Sequence, residues 1–142
     1  MMTQSAQSVL IEIRETLQQG QKDLAAAYLA RPDYKAYLSG RAQLVDRMLE
    51  RLWSKAQLPK SAALIAVGGY GRNELYPHSD IDVLITLETL PTPDVEIALE
   101  RLISQFWDIG LAVGHSVRTI DECIAAAESD ITVQTALSES RL

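Results

Sequence analysis

Two glycines and two aspartates lie close together in the middle of this sequence. Gly68 and Gly69 follow the apolar run ALIAV, and Asp80 and Asp82 flank Ile81 at the start of the apolar run IDVLITL. Residues two apart on a β-strand point to the same face, so the two carboxylates should project side by side. They would repel unless a cation lies between them, and a hard divalent ion, Mg²⁺ or Mn²⁺, suits oxygen ligands. The alternative is two solvated acids at the start of a strand.

The paired glycines predict a backbone cradle for a phosphate beside these acids. Without side chains, Gly68 and Gly69 leave their N–H groups open to an anion, ahead of a short helix expected over GRNEL. Arg72 offers a fork of donors to phosphate oxygens, and Ser79 offers a hydroxyl. Alternatively, the glycines only allow a tight turn, Arg72 pairs with Glu74 or caps a helix, and Ser79 is only a turn residue. The dinucleotide-binding, Walker and EF-hand patterns do not match this segment.

The spacing of apolar residues predicts a helical N-terminal segment over residues 1–60. An amphipathic helix is expected over 5–19, with Gly20 as its stop, and a second short helix over 21–30. A third helix is expected over 33–58, since large apolar residues recur there at helical spacing.

Residues 61–142 show a different pattern, in which short β-branched runs alternate with helical ones. Strands are predicted at 61–67, 81–87 and 111–119, and helices at 91–110, 120–128 and 130–141. This order indicates an α/β (α+β) fold with a small mixed sheet flanked by helices. The chain is expected to form one compact domain and to be a fragment of something longer, because it stops within a predicted helix.

Composition narrows the possible partners and the location of the chain. The 142 residues carry a net charge of −6, which disfavours a long nucleic acid. No segment is apolar and long enough for a membrane span, and no signal peptide is recognisable, so a cytoplasmic location is expected. The single cysteine, Cys123, is expected to be buried on the apolar side of a helix. His78 is expected in a turn and His115 on a strand, neither with a catalytic role.

The ordered motif G-G-Y-G-R-x-E-L-x-P-x-S-D-x-D resembles the signature of the DNA polymerase β-like nucleotidyltransferase superfamily. Its surroundings are similar to the form found in bacterial protein-PII uridylyltransferase/uridylyl-removing enzymes. VGHSVRT at 113–119 and D-x-T-x-x-x-A-L-x-E-S-R-L at 130–142 resemble the same family. The resemblance covers residues 61–142 as the nucleotidyltransferase core and implies the polymerase β-like fold.

The resemblance also implies a reaction and its site residues. Asp80 and Asp82 would hold one or two Mg²⁺ ions that bridge the triphosphate of UTP. Gly68 and Gly69 would cradle the β- and γ-phosphates, assisted by Ser79 and Arg72. A tyrosine hydroxyl of the signalling protein PII, which acts in nitrogen regulation, would attack the α-phosphorus and release pyrophosphate.

One departure from the superfamily pattern leaves alternatives open. The superfamily commonly supplies a third carboxylate from a later strand, but the predicted strand LAVGHSVRT contains no acid. The nearest acids in sequence are Asp108 and Asp121, with Asp130 and Glu139 on later helices. The chain is therefore expected to be either a uridylyltransferase domain, a non-catalytic nucleotide-sensing module with the same fold, or an adenylyltransferase acting on glutamine synthetase.

Overall fold

The computed structural model describes residues 4–142, which form six helices and a three-stranded sheet. The α+β fold and the small mixed sheet predicted from the sequence are confirmed. The elements, in chain order, are α1 (Gln4–Ala30), α2 (Tyr34–Ala56), β1 (Ala63–Val67), α3 (Gly68–Gly71), β2 (Ile81–Leu87), α4 (Pro93–Asp108), β3 (Val113–Thr119), α5 (Ile120–Ser129) and α6 (Ile131–Ser138). None of these helices is both long and apolar enough to cross a membrane.

The N-terminal helices differ from the prediction at Gly20. A stop was predicted there, but α1 continues through this residue to Ala30. A Cβ at Gly20 would lie 2.7 Å from Cδ1 of Leu44, so the glycine lets α2 pack closely against α1. The predicted boundary before Pro32 is correct, and α2 begins where the Asp33 carboxylate accepts a hydrogen bond from the backbone N–H of Ala36.

The sheet has the order β1-β2-β3, with β1 antiparallel and β3 parallel to β2. The central strand β2 has the predicted bounds, and Ile81 and Val83 are buried as expected. Helix α4 provides the crossover to β3, beginning at Pro93 after the Thr92 cap. This parallel pairing brings the start of β3 beside the start of β2.

One hydrophobic cluster joins the N-terminal helices to the sheet and α4. Ile13 and Leu17 of α1, Leu52 of α2 and Phe106 of α4 are almost completely buried in it, together with Val83 of β2. The predicted boundary between residues 60 and 61 therefore does not divide this hydrophobic cluster in two. The free cysteine, Cys123, is buried on α5, as predicted.

The last helix ends earlier than predicted. A helix was expected over 130–141, but α6 ends at Ser138. Arg141 then pairs with Ala66 at the outer edge of β1, with N–O distances of 2.6 and 2.8 Å for the two backbone hydrogen bonds. The backbone groups of this segment thus bond to a strand edge instead of continuing the helix.

Candidate active site

The carboxylate of Asp82 lies between two glycines that belong to different elements. Asp82 is paired with Val67 on one side, directly before Gly68, and with Gly114 of β3 on the other. A Cβ at Gly68 would lie 3.2 Å from Oδ2 of Asp82, and a Cβ at Gly114 would lie 2.8 Å from Oδ1. The glycine turn, residues 68–71, and the acid therefore adjoin each other, as the sequence predicted.

Asp80 and Asp82 form an acid pair at the start of β2. Asp80 is the last residue before the strand and is exposed, and Asp82 is its second residue. Partial burial raises the pKa of Asp82, and the negative charge of Asp80 raises it further. The pair thus concentrates negative charge that a cation would neutralise, and two carboxylates suit Mg²⁺, which keeps several waters or phosphate oxygens as its other ligands.

The glycines themselves form the short helix that had been expected over GRNEL. Helix α3 covers Gly68–Gly71, and the chain then turns at Asn73, which has a left-handed φ of 60°. The backbone N–H of Glu74 donates to the carbonyl of Gly69 at 2.9 Å and closes this turn. Gly68 has a φ of 63°, a conformation that L-residues with side chains rarely adopt. Both the backbone geometry and the nearby carboxylate therefore favour a glycine at position 68.

Arg72 and Ser79 border the glycine turn and the acid pair on the surface. The Arg72 guanidinium lies 2.6 Å from Glu139 and 3.5 Å from Glu74, so the pairing with Glu74 left open by the sequence is present. Ser79 ends a turn in which its N–H donates to the carbonyl of Tyr76 at 3.1 Å, and its side chain is exposed. Exposed ion pairs contribute little free energy, so these two pairs hold the Arg72 side chain only weakly.

Two of the four acids considered for a third ligand make other contacts. Within residues 4–142, no three Asp, Glu, His or Cys side chains are grouped so that they could hold a metal ion. Asp108 ends α4, and Asp121 lies in the first turn of α5. Asp130 caps α6 by accepting from the N–H of Thr132, and Glu139 pairs with Arg72.

The two histidines lie where the sequence placed them. His78 is in the turn before β2, with a left-handed φ of 67°. His115 is an exposed residue of β3.

A polar network behind the glycine turn was not foreseen from the sequence. The hydroxyl of Tyr70, a buried residue of the turn, donates to Oδ1 of Asp46 on α2 at 2.5 Å. Arg141 donates to Oδ2 of Asp46 at 2.7 Å and to the carbonyl oxygen of Tyr70 at 3.1 Å. The guanidinium also lies 5.2 Å from the centre of the Tyr70 ring. These contacts hold the turn against α2 and the C-terminal segment.

Comparison with known proteins agrees with this geometry. A family model described as "Nucleotidyltransferase domain" matches residues 45–126. That range contains the glycine turn, the acid pair and all three strands.

Proteins named "Bifunctional uridylyltransferase/uridylyl-removing enzyme" are similar to nearly the whole chain. The one from Thiobacillus denitrificans is 47% identical over 130 residues, which are 92% of this chain and 15% of the relative. The one from Chromobacterium violaceum is 48% identical over 91% of this chain and 15% of its own length. The one from Ralstonia nicotianae is 41% identical over the full 142 residues, 16% of its length. The chain thus spans about one sixth of the length of these relatives. It belongs to the nucleotidyltransferase domain family.

Proposed function

We propose that this chain is the nucleotidyltransferase domain that transfers UMP from UTP to a tyrosine of the PII signalling protein in nitrogen regulation. The observation that carries the proposal is the Asp82 carboxylate, which lies against the glycine turn and beside Asp80. The names of the relatives support uridylyl transfer as the reaction. UTP and the PII protein are the partners predicted from the sequence, and the cytoplasmic location predicted for the chain is part of the same proposal.

Asp80 and Asp82 would hold Mg²⁺ or Mn²⁺ in this domain. A bound metal ion would neutralise phosphate charge and favour departure of pyrophosphate. Burial and the charge of Asp80 disfavour the ionised form of Asp82, which is why its pKa is raised. A bound cation would offset both effects and favour the ionised carboxylate.

The remaining residues of the site would position the nucleotide. The N–H groups of Gly68 and Gly69 would donate to oxygens of the β- and γ-phosphates, with the Ser79 hydroxyl at the edge. Arg72 would exchange one of its carboxylate partners for a phosphate oxygen. The tyrosine hydroxyl of the protein substrate would lose its proton to solvent as its oxygen bonds to the α-phosphorus, while the bond from that phosphorus to the β-bridging oxygen breaks and pyrophosphate leaves.

Titration calorimetry of this chain with UTP and ATP, each with and without Mg²⁺, tests the proposal. We expect UTP to bind in a Mg²⁺-dependent manner and more tightly than ATP. Asp82→Asn should abolish the Mg²⁺ dependence, whereas Asp94→Asn, which changes an exposed acid in the first turn of α4, should not. Absence of nucleotide binding to the folded chain, or a preference for ATP, would contradict the proposal. The latter result would favour an adenylyltransferase acting on glutamine synthetase.

A second candidate function is a nucleotide-sensing module that does not transfer the nucleotide. The observation that favours it is the absence of a third acid near Asp80 and Asp82 within residues 4–142. Tight UTP binding without metal would support this alternative. In a full-length protein containing this chain, Asp80→Ala or Asp82→Ala should abolish uridylylation while the fold survives. Retained transfer by either variant would count against the catalytic role of the acid pair.

A further inference from the structure

Gly114 lies directly across from Asp82 in the parallel pair of β2 and β3. Side chains of paired residues in neighbouring strands project from the same face of a sheet. A Cβ at Gly114 would lie 2.8 Å from Oδ1 of Asp82, which is closer than such atoms approach in folded proteins. The carboxylate thus occupies the space that a side chain at position 114 would fill.

The backbone at position 114 gives no other reason for a glycine. Among the glycines of residues 4–142, positive φ angles occur at Gly68 and Gly110, so Gly114 has a conformation that any L-residue can adopt. Glycine is otherwise unfavourable inside a strand, and where it occurs it often marks a close approach of another group. In β3 the approaching group is the Asp82 carboxylate.

Gly68 lies close to the same carboxylate on its other side, next to the other oxygen atom. The Cβ distance there, 3.2 Å to Oδ2, is short enough that an added side chain would require the carboxylate to move. Each oxygen of Asp82 therefore faces a main-chain position without a side chain, one in the glycine turn and one in β3. This arrangement also explains why an acid cannot be added at the β3 position across from Asp82 without displacing Asp82 itself.

We propose that Gly114 is a positioning residue, which keeps open the space that the Asp82 carboxylate needs to face the glycine turn. The placement of the carboxylate follows from the packing alone. The expected effect on metal and nucleotide rests on the proposed function. Residues that orient a metal ligand typically change metal affinity by about 10-fold to 100-fold when replaced.

Gly114→Ala tests this role, with Ser116→Thr as its matched control. The control also adds one methyl group on the same face of β3, two residues further along, where the paired residue is Leu84. The first readout is the carboxyl ¹³C chemical shift of Asp82, measured by NMR without nucleotide or metal. The second is the affinity for UTP in the presence of Mg²⁺, measured by calorimetry for each variant and for the Asp82→Asn background.

We expect Gly114→Ala to move the Asp82 carboxyl signal and to weaken Mg²⁺-dependent UTP binding at least 10-fold, while Ser116→Thr changes neither. In the Asp82→Asn background, Gly114→Ala should add no further loss. An unchanged Asp82 signal in a folded Gly114→Ala variant would overturn the inference. An equal loss with and without the Asp82 carboxylate would also overturn it, because Gly114 would then act through the fold.

The two readouts separate this inference from the proposed function. If the wild-type chain bound no UTP, the proposed function would fail. The NMR signal would still decide whether Gly114 positions Asp82.

Discussion

Removing the hydroxyl group of Tyr70 is the sharpest test of how the glycine turn is held. Tyr70→Phe keeps the buried ring, which is 3% exposed, and removes only the donor to Asp46. Oδ1 of Asp46 then loses a partner, while Oδ2 keeps Arg141. A hydrogen bond to a charged group contributes about 1.5–3 kcal/mol, and we expect a loss of stability in this range.

The corresponding change in melting temperature is large enough to measure. A loss of 1 kcal/mol lowers the melting temperature of a domain near this size by about 2–4 °C, so Tyr70→Phe should lower it by about 3–12 °C. Thermal unfolding followed by circular dichroism gives this value. Tyr34→Phe is the control, because Tyr34 is 51% exposed and loss of its hydroxyl should cost less than about 0.5 kcal/mol.

A double-mutant cycle identifies the partner of the hydroxyl. Tyr70→Phe and Asp46→Asn should each destabilise the chain, and their combined effect should be smaller than the sum. Strict additivity, or a Tyr70→Phe variant as stable as the wild type, would refute the role given to this hydrogen bond.

The pH dependence of stability gives an independent readout of the same contact. Burial raises the pKa of Tyr70, and the hydrogen bond to Asp46 and its charge raise it further. In the folded state, Tyr70 therefore keeps its proton above about pH 10, where tyrosine ionises in the unfolded chain. The associated stability is complete below that pH and is lost as the pH rises further. In Tyr70→Phe, this part of the loss of stability at alkaline pH should be absent. Urea unfolding between pH 9 and about 11.5 measures the free energy of unfolding of both chains.

Two further predictions concern the site itself. Because the pKa of Asp82 is raised, ionisation of this carboxyl group destabilises the folded state. The free energy of unfolding therefore decreases as the pH rises through that pKa. Asp82→Asn should therefore raise the melting temperature at pH 7 without metal, with no gain near pH 3; a lower melting temperature at pH 7 would contradict this. Gly68→Ala should lower the unfolding free energy by about 1–2 kcal/mol in urea titrations, since the residue has a left-handed φ of 63°. A variant as stable as the wild type would show that the turn relaxes.

The local parts of the fold were predictable, because apolar patterns and boundary residues determine them. The bounds of β2 were correct, since a run rich in β-branched residues lies there between polar and turn residues that end a strand. The stop at Gly20 was wrong, because a glycine that ends a helix and a glycine that admits Leu44 look the same in sequence. The site was predicted as a set of neighbours, and the proximity of Gly68 to Asp82 confirms that part.

The long-range contacts were beyond sequence reasoning. Tyr70 and Arg141 belong to the motifs that carried the family resemblance, but their shared partner Asp46 lies on α2, in a segment read only as a helix. The role of Gly114 was also missed, since nothing in VGHSVRT shows which residue faces Asp82. Strand register supplies that information, and register depends on the whole sheet.

The bridge between Arg141 and Ala66 has a consequence for assembly of the chain during synthesis. β1 is a border strand, and its outward backbone groups could pair with a strand from another molecule. Arg141 occupies both groups of Ala66, and its side chain joins a residue 95 positions earlier. Until residue 141 has emerged from the ribosome, both groups of Ala66 lack this partner, and shorter nascent chains should be more prone to pair there with another strand and aggregate.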